Sequence, residues 1–288
     1  LLIDGIDKYA FEVKHLKQLV SFLPTWRLDD IMVSYSVKDG STGPHFDLYD
    51  VFLVQAKGNR KWRIGQRCNA ETPIVPHSRL QLVSEFKLSE EYFTEPGDIL
   101  YIPPNIAHWG ISENTSITYS IGFRAPRLND MIAFWIDSLL ESFSSDIFYS
   151  DTDLNIAERP GEIRSEDISR AQNQVIQALN NTAVSADWFA ELITSLSIKE
   201  SNESSRIAED WTLAIVRKSS RLAWYQKEGE IVFYVNGHRT SFSSNMLEVI
   251  TCLCGSRQIN ILNLPTSIKD EAIECIDFLI GIDAVYVS

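Results

Sequence analysis

The chain has 288 residues, more than the roughly 100–150 of a common single domain, so two or three units and a sizeable core are expected. With 26 basic against 39 acidic residues its net charge is -13, which disfavours a nucleic-acid or anionic-membrane surface and favours basic partners. No apolar run approaches the roughly 18 residues that span a bilayer, no signal-like segment is read, and Cys68, Cys252, Cys254 and Cys275 make no C-x-x-C pair, so a reduced, cytoplasmic setting is expected.

The first residues, opening on Leu1, read as the middle of a domain, and a preceding N-terminal portion is expected. From about Asp29 to Phe123 short β-type runs separated by Gly, Pro and Asn follow one another: IMVSYSV, VFLVQ, KWRIG, DILYIP, HWGIS and SITYSIGF. Many short strands with turn signals between them predict an all-β sandwich or barrel.

Within that region PHFDLYDVFLV, read as one strand, places His45 and Asp47 on the same face. Such a pair is often a plain hydrogen-bonded couple, and two ligands alone hold a metal poorly. A third is available in EPGDILYIPPNIAHWGIS, where two turns flank a short strand and His108 is expected as the first residue of the returning strand. Two imidazoles and one carboxylate form the facial triad of non-haem Fe(II) oxygenases, with coordination positions left for a co-substrate and oxygen. Asn105 stands in the second turn, where it tolerates a left-handed backbone.

After Pro126 the period changes to that of helices. Met131, Phe134, Trp135, Leu139 and Leu140 share one spacing, and further helices are predicted from Ser165 and Ser185. Trp135, Phe143, Trp188 and Phe189 are expected to pack these helices together or to form a dimer contact. From Trp211 the texture is mixed: EIVFYVNGHRTSF is a hairpin with Asn236-Gly237 at its turn, SNMLEVITCLC and SIKDEAIECIDFLIG are helices, and AVYVS is a last strand. A small α+β unit of this kind includes winged helices. Seven basic against eight acidic residues in it oppose binding to phosphates.

Taken together, MVSYSVKDGSTGPHFDLYDVFLVQAKGNRKWRIGQ, EPGDILYIPPNIAHWGIS and YSIGFRAP resemble the JmjC-type, cupin-like ribosomal oxygenases of bacteria, which are 2-oxoglutarate-dependent hydroxylases of an arginine in a large-subunit ribosomal protein. The resemblance is specific over about residues 26 to 127. It implies an α+β multidomain chain with a double-stranded β-helix (1–126), a helical dimerisation region (127–208) and a winged-helix-like C-terminal domain (209–288). It also implies Fe(II) held by His45, Asp47 and His108, and 2-oxoglutarate anchored by Arg60 in GNRKW. The incoming substrate side chain would meet Asp30 and Tyr49. A guanidinium grips a carboxylate through two parallel hydrogen bonds, so the type of residue at position 60 suits the task.

Each of these residues also has a plainer reading: Arg60 as a solvated turn residue beside Lys61 and Arg63, Asp30 as a turn cap, Tyr49 as a packing aromatic. In an unbroken strand Arg60 and Trp62 share one face and Lys61 and Arg63 the other, so one pair alone looks into the barrel. Tyr101 and Trp109 line the pocket or pack the core, and His15, His77 and His238 are expected in ordinary surface roles. Three functions remain open on residues alone: a protein hydroxylase; another cupin metalloenzyme, acting on a histidine residue or a small molecule; and a ligand-sensing, DNA-binding regulator, which the C-terminal charge balance opposes.

Overall fold

The structure, a computed structural model, describes residues 1–10, 12–76, 82–124, 126–143, 148–152, 159, 161–181, 185–195 and 211–288. The His77 expectation and the expected boundary near residue 208 lie outside them.

Strands β1 (Leu2–Ile3), β2 (Leu28–Ser36), β3 (Val51–Lys57), β4 (Arg60–Arg67), β5 (Leu88–Thr94), β6 (Ile99–Ile102), β7 (Ile106–Ser112) and β8 (Ser116–Phe123) form two antiparallel sheets. One runs β1-β2-β8-β3-β6 and the other β5-β4-β7. Single bridges from His45 to His108 and to Leu82 prolong the second sheet beyond β7. The alternation read in the sequence is realised: along β7, His108, Gly110 and Ser112 point inward while Trp109 and Ile111 are less buried.

The interior of this barrel is part polar and part apolar. Ser34, Gln55, Arg60, Thr94, His108, Ser112, Ser116 and Thr118 are buried, and Val51, Leu53, Trp62 and Ile102 pack together between the two sheets. A 3-10 segment, Glu12–Val20, covers the outer face of the first sheet by packing Val13 and Val20 against Leu28, Ile31, Ile121 and Phe123.

Helices α1 (Leu128–Ser142), α2 (Ser165–Asn181) and α3 (Asp187–Thr194) follow, as their periodicity predicts. Asp187 N–H donates to Ser185 Oγ at 3.2 Å, the expected capping bond. At α2 the cap is supplied instead by Asp167, whose Oδ2 accepts from Arg164 N at 2.9 Å. Phe189 stacks edge-on against Trp26 of the barrel at 5.5 Å, so this aromatic set packs partly onto the barrel and not only among helices. Leu128, Ile132 and Leu140 of α1 and Ile168, Val175 and Ile176 of α2 stay exposed.

In the last unit β9 (Leu213–Val216) lies between β13 (Gln258–Asn260) and β14 (Val285–Val287), beside a meander of β10 (Leu222–Lys227), β11 (Glu230–Val235) and β12 (His238–Ser243). Asn236 and Gly237 both have positive φ, 53° and 82°, as the two-residue hairpin turn requires. Helices α4 (Leu247–Gly255) and α5 (Thr266–Gly281) cover one continuous core that includes Phe233, Met246, Ile250, Leu253, Ile276 and Leu279.

Candidate metal centre

His45 and Asp47 do not lie on one strand, contrary to the sequence expectation. His45 is a single bridge in the second sheet, and regular strand begins only at Val51, in the first sheet. The chain crosses from one sheet to the other over these residues, so an unbroken ladder is impossible. The crossing is held by Asn105, whose N–H donates to Asp47 O at 2.7 Å. Asn105 has φ 64°, the left-handed conformation expected of it, and β7 starts right after it. His108 is thus the third residue of its strand, not the first.

The outcome is still convergence. One ligand-capable atom from each of His45, Asp47 and His108 lies within 4.8 Å of the other two, a group that can hold a metal ion. His108 Nε2 stands 3.6 Å from Asp47 Oδ2. Both imidazoles place Nδ1 3.0 Å from a backbone carbonyl, Gly43 O for His45 and Ile106 O for His108. A carbonyl only accepts, so each Nδ1 bears a proton, and Nε2 is the ring atom left to face a metal. Burial, aided by the charge of His45, pushes His108 down to about 4, which keeps it neutral. Burial also raises Asp47 above the usual carboxylate range, against the pull of His45.

Arg60 opens β4 and is 4 % exposed, so the solvated-turn reading is excluded. Arg60 and Trp62 are the inward pair, the guanidinium 4.8 Å from the indole ring. Lys61 and Arg63 face outward, to Glu113 and Glu91. Register puts Trp62 opposite Gly110 of β7. A Cβ at Gly110 would lie 2.6 Å from the indole and 2.9 Å from Arg60 Nε, so both side chains occupy room that only glycine leaves. Arg60 Nη1 donates to Ser34 Oγ at 2.9 Å and to Thr118 Oγ1 at 3.2 Å. Its Nε, like the indole N–H of Trp62, is buried with no partner among the described residues. No carboxylate among those residues pairs with this guanidinium, and burial lowers it to about 10. A buried cation with unused donors is costly unless an anion completes it.

Asp30 and Tyr49 come together beside Gly122 of β8: a Cβ there would lie 3.5 Å from Asp30 Oδ1 and 4.0 Å from the Tyr49 ring. Asp30 Oδ2 accepts from Gly5 N at 2.9 Å, and burial raises its carboxyl. Tyr49 is pushed up to about 12 by burial and by the charges of Asp47 and Asp30. It lines a cleft of about 530 Å³ with Trp26, Asp29, Arg124, Phe134 and Arg221.

Tyr101 and Trp109 do not reach the metal centre. Tyr101 O–H donates to Asp50 Oδ1, and Trp109 lies across the outward face against Phe86 and Arg63. The sequence reading did not single out Ser34, Gln55, Thr118 or Gly110. The signal available was a polar residue in an apolar run, as Gln55 in VFLVQ, and hydroxyls alternating along a strand, as Ser116, Thr118 and Ser120 in SITYS.

A family model described as the JmjC domain matches residues 15–131. The chain carries a JmjC domain. The segment matched contains β2 to β8 and all three metal-centre residues. Among curated proteins, the chain that carries this JmjC domain is similar to the ribosomal protein uL16 3-hydroxylase of Escherichia coli (strain K12), 34% identical over 194 residues that make up 67% of the chain and 52% of the relative. It is 32% identical over 208 residues to a probable ribosomal oxygenase of Haemophilus influenzae, covering 68% of the chain and 50% of the relative. The chain spans about half the length of these curated relatives. A solved structure of a ribosomal oxygenase from Escherichia coli, in complex with cobalt and 2-oxoglutarate, superposes on the whole chain and on 78% of its own length, with TM-score 0.75 at 24% identity. The fold of that structure is thereby shared along the chain.

Proposed function

We propose that the chain belongs to an Fe(II)- and 2-oxoglutarate-dependent protein hydroxylase that oxidises an arginine of a large-subunit ribosomal protein. One observation carries the reading: a His, Asp, His cluster shares the barrel interior with a buried guanidinium that has unused donors and no carboxylate among the described residues. The donor set fits a divalent metal with open positions, and the guanidinium fits the far carboxylate of 2-oxoglutarate. The relative named as a uL16 3-hydroxylase and the solved oxygenase with cobalt and 2-oxoglutarate support this choice of co-substrate and substrate class.

His45 Nε2, Asp47 and His108 Nε2 would hold the iron, and Arg60 the 2-oxoglutarate. Iron with 2-oxoglutarate and oxygen supplies the oxidation of an unactivated C–H bond to an alcohol. The chain's own residues bind and orient. Asp30, already held by Gly5 N, keeps Oδ1 for an incoming guanidinium, and the Tyr49 ring can lie against its plane. Tyr49 stays a neutral phenol at physiological pH.

Residues 127–208 are assigned to dimerisation, on the strength of the exposed apolar residues of α1 and α2, and 209–288 to a winged-helix-like domain following the 1–126 barrel. A cytoplasmic setting follows from a ribosomal substrate; no helix among the described residues is long and apolar enough to cross a membrane.

The test is mass spectrometry of large-subunit ribosomal protein fragments incubated with the protein, Fe(II) and 2-oxoglutarate, with His45→Ala alongside. One oxygen gained on an arginine, absent from the control, supports the proposal. Triad-dependent succinate formation without that gain removes the substrate assignment and leaves a histidine residue or a small molecule. Neither signal from folded, iron-loaded protein removes the oxygenase reading itself.

A further inference from the structure

We propose that Gln55 is a positioning residue which, through Thr118, fixes the edge that the Arg60 guanidinium presents to 2-oxoglutarate. The proposal rests on the reading of Arg60 as the co-substrate anchor.

Gln55 lies on β3 and is 1 % exposed. Its Nε2 faces two backbone carbonyls, Lys57 O at 2.9 Å and Gly58 O at 3.0 Å. Carbonyls accept only, so the amide nitrogen belongs at that end and Oε1 is turned toward the barrel interior. The turn that supplies these carbonyls is itself fixed: Gly58 has φ 64°, and a Cβ there would fall 2.2 Å from Thr115 O.

Oε1 in turn accepts from Thr118 Oγ1 at 2.9 Å. A threonine hydroxyl has one proton. Once it points at Gln55, the oxygen can only accept on its other side, where Arg60 Nη1 donates at 3.2 Å. Ser34 Oγ takes the remaining Nη1 proton at 2.9 Å and gives its own to Thr118 O at 3.3 Å. Both Nη1 protons are therefore used inside the barrel, and Nε and Nη2 remain for a carboxylate. Thr94 Oγ1 lies 3.4 Å from the same Oε1 and 3.2 Å from Arg60 O, which closes the network around the first residue of β4. Each bond in the chain has one direction, set at one end by the carbonyls of the β3–β4 turn and at the other by a guanidinium that only donates.

The experiment measures 2-oxoglutarate binding by calorimetry to Mn(II)-loaded full chain, with Mn(II) affinity read separately by electron paramagnetic resonance. Thr118→Val should weaken 2-oxoglutarate by about tenfold, the size of one hydrogen bond to a charged group, with Mn(II) affinity unchanged. Thr118→Ser should bind as the parent does. Gln55→Leu should match Thr118→Val, and the double variant should be no weaker than either, because both cut the same chain. Should Gln55→Leu not fold, the Thr118 pair carries the test. Parent-like binding in Thr118→Val, additive losses, or a parallel loss of Mn(II) would overturn the relay. Arg60→Ala separates the two levels: unchanged 2-oxoglutarate binding in that variant removes the anchor reading, whereas a loss there with none in Thr118→Val removes the relay alone.

Discussion

His45 and His108 exchange both backbone hydrogen bonds, N to O at 3.0 Å and 2.8 Å, while their rings lie 4.3 Å apart. Two of the three candidate ligands are thus spaced by a sheet bridge rather than by loop packing, and the bridge does not depend on either ring.

Replacing one imidazole should therefore remove the metal and leave the fold. His108→Ala and His45→Ala are each expected to lose more than about 100-fold in Mn(II) affinity, beyond the 10- to 100-fold typical of residues that only support a ligand. Far-ultraviolet dichroism should stay that of the parent. A variant that keeps both Mn(II) and 2-oxoglutarate turnover would remove that histidine from the metal centre.

At Arg60 the shape of the cation should matter as well as its charge. Lysine cannot offer two parallel donors and would leave Ser34 and Thr118 short of one partner. Arg60→Lys is expected to raise the KM for 2-oxoglutarate by at least about tenfold with a smaller change in kcat, read by succinate formation. An equal KM would mean that position 60 needs charge alone.

Asp187 joins α3 to the C-terminal meander: it accepts from Tyr225 and Tyr234 and pairs with Arg239 at 3.4 Å. Burial pushes its carboxyl up, but bonds from Ser185 and Tyr225 and the charge of Arg239 outweigh this and bring it below 3.8. The folded state thus holds the carboxylate more readily than the unfolded chain, and this stability is present above about 3.8 and lost as pH falls through the lowered folded value. Asp187→Asn should lower the melting temperature at pH 7, and the gap to the parent should close in acid. A gap that is constant with pH would assign the effect to packing alone.

Thiol chemistry should report the C-terminal core. Burial pushes Cys254 and Cys275 up to about 12, so both remain thiols at pH 8 and have little thiolate with which to react. Iodoacetamide should label them only after denaturant unfolds the unit, as peptide mapping will report; fast labelling in buffer would mean that the unit opens.

The helices and most of the strands were legible because alternation and turn residues are local signals; β5, β9 and β10 were not read, and the single strand assumed for His45 and Asp47 is not formed, although these two and His108 still converge. Asn105 could be read as left-handed from its type, and Arg60 and Trp62 as an inward pair once β4 was assumed. Two things were hidden. The crossing of residues 45–50 between sheets depends on Asn105 reaching back to Asp47, a pairing across 58 positions that no local pattern encodes. The Gln55 and Thr118 contacts join β3 to β8, and in sequence Gln55 is merely one amide in an apolar run and Thr118 one hydroxyl among several.

The divided core of the barrel has a consequence for the order in which the molecule comes apart. Among the described residues, the C-terminal unit gathers eighteen buried apolar side chains into one cluster, whereas the barrel divides its own into groups of seven, four and four and places buried polar residues among them. Contiguous apolar burial resists opening, and a divided core opens in parts. Amide exchange should then be fastest across the barrel in the empty protein and slow there when metal and 2-oxoglutarate bind, since ligands that select the folded state add their binding energy to it. The part of the chain that would do the chemistry is the part whose firmness is lent by what it binds.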